Sequence, residues 1–154
     1  YASKLVLDVL PNIHLLGMFT MAFTLVYRKK ALYPIYIFVL ITGLYGGFAL
    51  WWIPYLYVWT ILWIFVMLVP QRLPVKYKMI IYVAVCAAHG FLFGTLYAPS
   101  QVLLFFGGDF NKMIPWIIAG IPADFTHGVG NLILGTIFIY PAVKILKHTD
   151  KYAK

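Results

Sequence analysis

The stretch that decides the fold is residues 117–146, IIAGIPADFTHGVGNLILGTIFIYPAVKIL. It is apolar over more than the roughly 20 residues that cross a bilayer as a helix, yet it contains Asp124, His127 and Asn131. Their spacing of three and then four residues places the three side chains on one helical face. An ionisable side chain in hydrocarbon costs between about 2.5 and more than about 10 kcal/mol, so such residues face a protein interior or an aqueous cavity. The sequence therefore predicts a polar site within a membrane helix.

The composition of the whole chain predicts the same class of protein. Of 154 residues, 64% are hydrophobic and 10% are charged, with a mean hydropathy of +0.90, which is more apolar than a soluble domain requires. The length leaves room for a single transmembrane domain, residues 1–154, and for no separate soluble module. Cys86 is the single cysteine, which excludes a disulfide or a cysteine metal site within the chain.

We expect an all-α integral membrane protein, a bundle of six transmembrane helices with the first helix truncated at its N-terminus, because the chain opens at Tyr1 in an apolar run without a starting methionine. The predicted spans are 1–10, 13–27, 31–49, 53–69, 79–97 and 117–146. Residues 98–112 contain a proline and a glycine pair and are predicted to form a re-entrant or surface connection. A break in the last helix is predicted near Pro122, since proline removes a backbone donor.

The basic residues predict the orientation. They fall in connections that an alternating topology places on one side of the membrane: Arg28, Lys29 and Lys30; Arg72, Lys76 and Lys78; Lys144, Lys147, Lys151 and Lys154. The positive-inside rule assigns that side to the cytoplasm, so both termini are predicted to be cytoplasmic. The net charge of +8 is then explained by orientation and by anionic lipid headgroups, and no nucleic-acid partner is expected.

Further polar and aromatic side chains are candidates for the same site. Trp59 and Trp63 lie one helical turn apart, where they form either core or the wall of a pocket for a flat ligand. His89 lies in the middle of the fifth span, where a ligand or a backbone carbonyl could satisfy its imidazole. Asn12 and His14 follow a predicted helix end, where they either cap a cavity or are wetted surface groups.

Five runs of the sequence together resemble a known family. They are PNIHLLG at 11–17, VYRKKAL at 26–32, LWWIPYLY at 50–57, HGFLFGTLYAP at 89–99 and GIPADFTHGVGN at 120–131. The chain resembles the substrate-binding S components of energy-coupling factor transporters, which are bacterial vitamin importers of the ABC class. The similarity extends from residue 1 to 147, and its most specific part is the pattern Pro-x-Asp-x-x-His-x-x-x-Asn at 122–131.

The resemblance implies a protein of the bacterial plasma membrane that captures a small vitamin or precursor in a pocket open to the outside. It implies as partners a membrane scaffold subunit and two ATP-binding subunits. The S component itself would perform no chemistry, with no catalytic residue, metal or cofactor. Carried over to this sequence, the pocket residues are Trp59, Trp63, His89, Asp124, His127 and Asn131, with Asn12 and His14 from the loop after the first helix.

The residue types also bear on the ligand and on two alternatives. The proposed pocket contains a carboxylate, imidazoles, an amide and indoles but no arginine, which favours a neutral or weakly basic heteroaromatic such as a pyrimidine, pyridoxine or thiamine-related compound over an anion. One alternative is an intramembrane enzyme that uses His89, His127 and Asp124 as a metal or acid-base site, although the chain has no glutamate and no His-Glu-x-x-His pattern. The other alternative is a structural membrane subunit without a ligand.

Overall fold

A computed structural model describes residue 13 and residues 15–152, and these residues fold into helices joined by short connections. The α-helices are α1 (Leu16–Tyr27), α2 (Leu32–Gly46), α3 (Tyr55–Leu68), α4 (Val75–Phe91), α5 (Phe93–Phe105) and α6 (Met113–Tyr152). Short 3₁₀ turns span Arg28–Ala31, Leu50–Trp52 and Phe110–Lys112. The described part of the chain contains no strand, which confirms the all-α prediction for these residues.

Three helical stretches among the described residues are long and apolar enough to cross a membrane: Leu50–Leu68, Val75–Phe105 and Phe110–Lys151. Helices α1 and α2 have 12 and 15 residues, fewer than the roughly 17 to 25 that a spanning helix uses. Six spans were predicted, whereas the described residues contain three, because the runs predicted at 13–27 and 31–49 form only the short helices α1 and α2. The predicted first fragment, 1–10, lies outside the described residues.

The predicted connection at 98–112 is wrong in its first half, because α5 continues to Phe105 with Pro99 inside it. Pro99 removes the donor that would bond the Thr95 carbonyl, four residues earlier. Packing holds this turn in place nevertheless, because Ala98 is fully buried and the Tyr57 hydroxyl donates to the adjacent Leu96 carbonyl 2.9 Å away. The turn itself is confined to Gly107 and Gly108, whose positive φ angles of 61° and 82° suit glycine.

Two helix breaks differ from the prediction. The break expected near Pro122 is absent from α6, which runs without interruption through Pro122 and Pro141. An unpredicted break occurs at Leu92, where φ of −105° and ψ of 7° separate α4 from α5. The span Val75–Phe105 is therefore a broken helix, and its second half begins inside the bundle.

The bundle is built on close packing of α4 along α6, with α1 lying against α3 and α6. Small residues permit the close approach: a Cβ added at Gly90 of α4 would lie 2.8 Å from the Cα of Gly128 in α6. One apolar cluster fills the half of the bundle towards the basic loops and consists of Met18, Met21, Ala22, Leu62, Val66, Val69, Tyr82, Cys86 and Ile139. A second cluster surrounds the buried ring of Trp59.

The three groups of basic residues lie at the same end of the bundle. Arg28, after α1, donates to the Met67 carbonyl at the end of α3 with a separation of 3.5 Å. Lys78, at the start of α4, donates to the Gln71 carbonyl 3.1 Å away. The last turns of α6 pack beside the α3–α4 connection, since Leu73 and Leu146 contact the same apolar cluster. We call this the basic end, and the opposite end contains the Gly107–Gly108 turn.

Candidate functional site

The polar row of α6 faces the interior of the bundle. Asp124, His127 and Asn131 expose 8%, 4% and 2% of their surfaces, although the same helix exposes Phe125 and Leu132 at 63% and 44%. The row therefore occupies the buried face, as its spacing predicts. Each of the three side chains meets a different part of the helices packed against α6.

Asp124 lies opposite the first turn of α5. The Gly94 N–H donates to both carboxylate oxygens, at 2.9 and 3.0 Å. Gly94 is the second residue of α5, where backbone N–H groups have no partner within the helix and the helix dipole favours a negative charge. A Cβ at position 94 would lie 2.6 Å from Oδ2, so only glycine permits this approach. Asp124 therefore acts as a cap for α5, supplied by another helix.

Asn131 links α6 to α4 one helical turn nearer the basic end than His127. Its Nδ2 donates to the Cys86 carbonyl at 3.1 Å, and both residues are buried. Gly17 of α1 and Gly90 of α4 lie against the amide, since a Cβ at either position would come within 3.1 Å of Nδ2. Asn131 thus lies where α1, α4 and α6 meet.

An aromatic cluster lies beside Asp124 and consists of Trp59, His89, Phe93 and His127. The Phe93 ring centroid is 4.8 Å from that of His127, 5.8 Å from that of Trp59 and 5.9 Å from that of His89. Trp59 and His89 lie 5.6 Å apart. The four rings come from α3, α4, α5 and α6, so the cluster joins four helices at the break between α4 and α5.

The His89 ring contacts the backbone of a neighbouring helix, because its Nε2 lies 3.0 Å from the Val58 carbonyl of α3. A carbonyl oxygen can only accept, so Nε2 carries the proton in this bond. Trp59 and His89 expose 1% and 5% of their surfaces. The sequence-based alternative of a carbonyl partner for His89 is the one the structure contains.

One predicted site residue lies nearer the basic end, and two fall outside the described part of the chain. The Trp63 indole N–H donates to the Arg28 carbonyl at 3.0 Å, which places this ring towards the basic end, where it packs against the second apolar cluster. Asn12 and His14 lie outside the described residues. The structure therefore brings together Asp124 and the rings of Trp59, His89 and His127, with Asn131 one level away.

Sequence reasoning missed Phe93 and the tyrosines. Phe93 contacts three of the proposed residues, but a phenylalanine in an apolar span carries no signal of a site. Near the end opposite the basic loops, Tyr97 donates to the Trp51 carbonyl, and Tyr57 lies 2.9 Å from the Ser100 hydroxyl. These bonds tie the Leu50–Trp52 turn and α3 to α5. A tyrosine beside a membrane end is otherwise read as an interfacial anchor.

The arrangement bears on metal binding as well. Within residues 15–152, no group of three or more His, Cys, Asp and Glu side chains is placed to hold a metal ion. Asp124 turns to the Gly94 N–H, and His89 turns to α3. The two histidines and the carboxylate considered for a metal enzyme therefore do not form a ligand set in this structure.

The fold and the site define an all-helical protein whose apolar helices suit a membrane and enclose a polar, aromatic centre at a helix break. Comparisons with models of known protein families, with curated proteins and with solved structures find no match to this chain.

Proposed function

We propose that the chain is the substrate-capture subunit of an energy-coupling factor importer of the ABC class, binding a small vitamin or vitamin precursor. The observation that carries the proposal is the position of the Asp124 carboxylate and the aromatic cluster at the break between α4 and α5. Membrane transporters commonly bind their substrates where a spanning helix is interrupted, because the interruption leaves directed backbone groups inside the protein. The family resemblance of the sequence supports the same function.

The contacts of Asp124 favour a neutral or weakly basic ligand. The carboxylate already compensates the positive end of α5 through the Gly94 N–H. An anionic ligand at this point would have to displace Asp124 or lie beside it, and like charges repel strongly in a medium of low dielectric. A flat heteroaromatic could stack against Phe93 or Trp59 and donate an amino or hydroxyl hydrogen to Asp124. Pyrimidine, pyridoxine and thiamine-related compounds meet this description.

Ligand entry requires the aromatic cluster to open, since Trp59 and His127 expose 1% and 4% of their surfaces. The bonds from Tyr97 to Trp51 and from Tyr57 to Leu96 close this region on the side away from the basic end. We expect that side to face the exterior of a bacterial cell and the basic end to face the cytoplasm. The complete proposal includes cytoplasmic termini, a scaffold subunit and two ATP-binding subunits.

A structural membrane subunit without a ligand is the second candidate. Asp124, Asn131 and His89 each contact a backbone group of a neighbouring helix, and such bonds are sufficient reason for polar side chains inside a bundle. The two functions differ in whether these residues affect the binding of a small molecule. They agree that removing the side chains weakens the bundle.

The test combines cargo identification with a matched pair of variants. Protein purified from its native host is denatured, and the released small molecules are identified by mass spectrometry. Titration calorimetry then compares hydroxymethylpyrimidine, pyridoxine and thiamine with folate for the wild type, Asp124→Asn and the control Trp63→Phe. Asp124→Asn keeps an oxygen for the Gly94 N–H and removes the charge, whereas Trp63 contacts Arg28 near the basic end.

The importer proposal expects one of the three heteroaromatic compounds to bind, with affinity at least about tenfold weaker in Asp124→Asn and unchanged in Trp63→Phe, a difference of about 1.4 kcal/mol. Co-purification with the scaffold subunit should be preserved in both variants. Absence of bound cargo together with equal, undetectable binding of all four compounds would favour the structural subunit. Preference for folate would contradict the proposed ligand chemistry.

A further inference from the structure

A groove lies between α4 and α6, nearer to the basic end than the aromatic cluster. Its volume is about 540 Å³, and its walls are Met79, Ile80, Val83, Ala84, Leu132, Gly135, Thr136 and Tyr140. None of the residues proposed for vitamin capture lines it. Ile80, Leu132 and Tyr140 expose 57%, 44% and 61% of their surfaces, so the groove opens on the outside of the bundle.

The chemistry of the walls suits a hydrocarbon chain. The walls contain two hydroxyls, those of Thr136 and Tyr140, and the Thr136 hydroxyl already donates to the Leu132 carbonyl at 2.7 Å. Ala84 and Gly135 form the floor, where a Cβ at Gly135 would lie 3.3 Å from Ile139 and 3.8 Å from Val83. From Leu132 to Tyr140 the groove extends for about 12 Å along α6, because a helix rises about 1.5 Å per residue. A polar occupant would find almost no partner along this length.

The basic end of the groove has a different character. Lys76 precedes Ile80 by four residues, and Lys144 follows Tyr140 by four, so each lysine continues the groove face of its own helix. Val83 and Gly135 face each other across the two helices. From these positions Lys76 is about 10 Å and Lys144 about 13 Å further along the antiparallel helices, which puts the two lysines at similar depth. Both are exposed, and within the described residues neither forms an ion pair.

We infer that this groove binds an anionic phospholipid, with an acyl chain between α4 and α6 and the headgroup phosphate between Lys76 and Lys144. Basic residues at the end of an apolar groove between membrane helices are the arrangement that recognises anionic lipid headgroups. A transmembrane helix of a partner protein would also fit small residues such as Ala84 and Gly135. It would not explain two exposed cations at similar depth at one end of the groove, so the lipid is the occupant that the charges select.

Native mass spectrometry of the purified protein, titrated in detergent with phosphatidylglycerol or phosphatidylcholine, tests the inference. A lysine near an anionic surface contributes about 1 kcal/mol, so two lysines should favour phosphatidylglycerol by about 30-fold. Lys76→Gln combined with Lys144→Gln should abolish the preference. The matched control is Lys29→Gln combined with Lys30→Gln, which removes the same charge from exposed lysines of the basic end on another loop.

A third variant tests the acyl chain separately. Gly135→Leu fills the floor of the groove and should weaken both lipids while leaving both lysines in place. Equal retention of the two lipids by the wild type would overturn the inference, as would retention of neither. Equal losses in the two double-lysine variants would show an unspecific effect of net charge, which also overturns it. Vitamin binding does not enter any of these measurements, so the outcome is independent of the proposed function.

Discussion

Gly90→Ala should destabilise the bundle, because at Gly90 the α4 helix packs directly against the backbone of Gly128 in α6. The added Cβ would lie 2.8 Å from the Gly128 Cα and 2.9 Å from its nitrogen, about 0.6 Å short of an ordinary contact of 3.4 Å. Backbone atoms cannot rotate away as a side chain does, so the two helices must separate. Overpacking of this kind costs about 1 to 3 kcal/mol.

A second cost comes from Asn131. Its Nδ2 would also lie 2.8 Å from the new Cβ, so the variant disturbs the bond to the Cys86 carbonyl. Losing such a bond costs about 1 kcal/mol, and the better helix propensity of alanine returns up to about 1 kcal/mol. We therefore expect the free energy of unfolding of Gly90→Ala to fall by about 2 kcal/mol.

Gly120→Ala is the matched control, since a Cβ at position 120 of α6 meets nothing within 4 Å. That variant should gain up to about 1 kcal/mol from helix propensity, which separates the two variants by about 3 kcal/mol. Equilibrium unfolding in mixed micelles with increasing sodium dodecyl sulfate, followed by circular dichroism, measures both. If Gly90→Ala proved as stable as Gly120→Ala, the close approach of α4 and α6 described above would be refuted.

Three further predictions concern single side chains. Asp124→Ala should lower the free energy of unfolding by about 1 to 2 kcal/mol, because it removes the cap of α5. Asp124→Asn should lose less stability, because its amide oxygen still accepts from the Gly94 N–H. A smaller loss in the alanine variant than in the asparagine variant would contradict the capping role. Trp63→Phe should cost about 1 kcal/mol, measured by the same unfolding assay, through loss of the bond to the Arg28 carbonyl. Cys86 is fully buried, so maleimide labelling should follow global unfolding; rapid labelling under native conditions would show that its surroundings open locally.

The sequence predicted the features that depend on periodicity and composition. Apolar runs located the helices α1 to α3 to within a few residues, and the three-four spacing of the α6 row predicted its burial. Both features arise within one segment of chain, from side chains that recur on one face. No knowledge of a neighbouring helix is needed to infer them.

The features that depend on neighbouring helices could not be predicted. Pro99 signals a helix end locally, but burial of its surroundings and the Tyr57 bond keep α5 helical. The break at Leu92 follows no proline. Asp124, which caps the helix that begins after the break, is 30 residues away from Gly94 in the sequence. Trp59 and Trp63 look equivalent in the sequence, although one joins the aromatic cluster and the other bonds Arg28. Only the three-dimensional packing distinguishes these cases.

The bond between Gly94 and Asp124 has a practical consequence for imaging. The bond joins the start of α5 to α6, far from the turn that connects the two helices. The contact between the helices therefore does not depend on the residues of that turn. In that turn a Cβ on Gly107 or Gly108 would meet nothing within 4 Å. A short antibody epitope inserted between these two glycines should leave the helices intact and give a small membrane protein the added mass that electron microscopy needs for particle alignment.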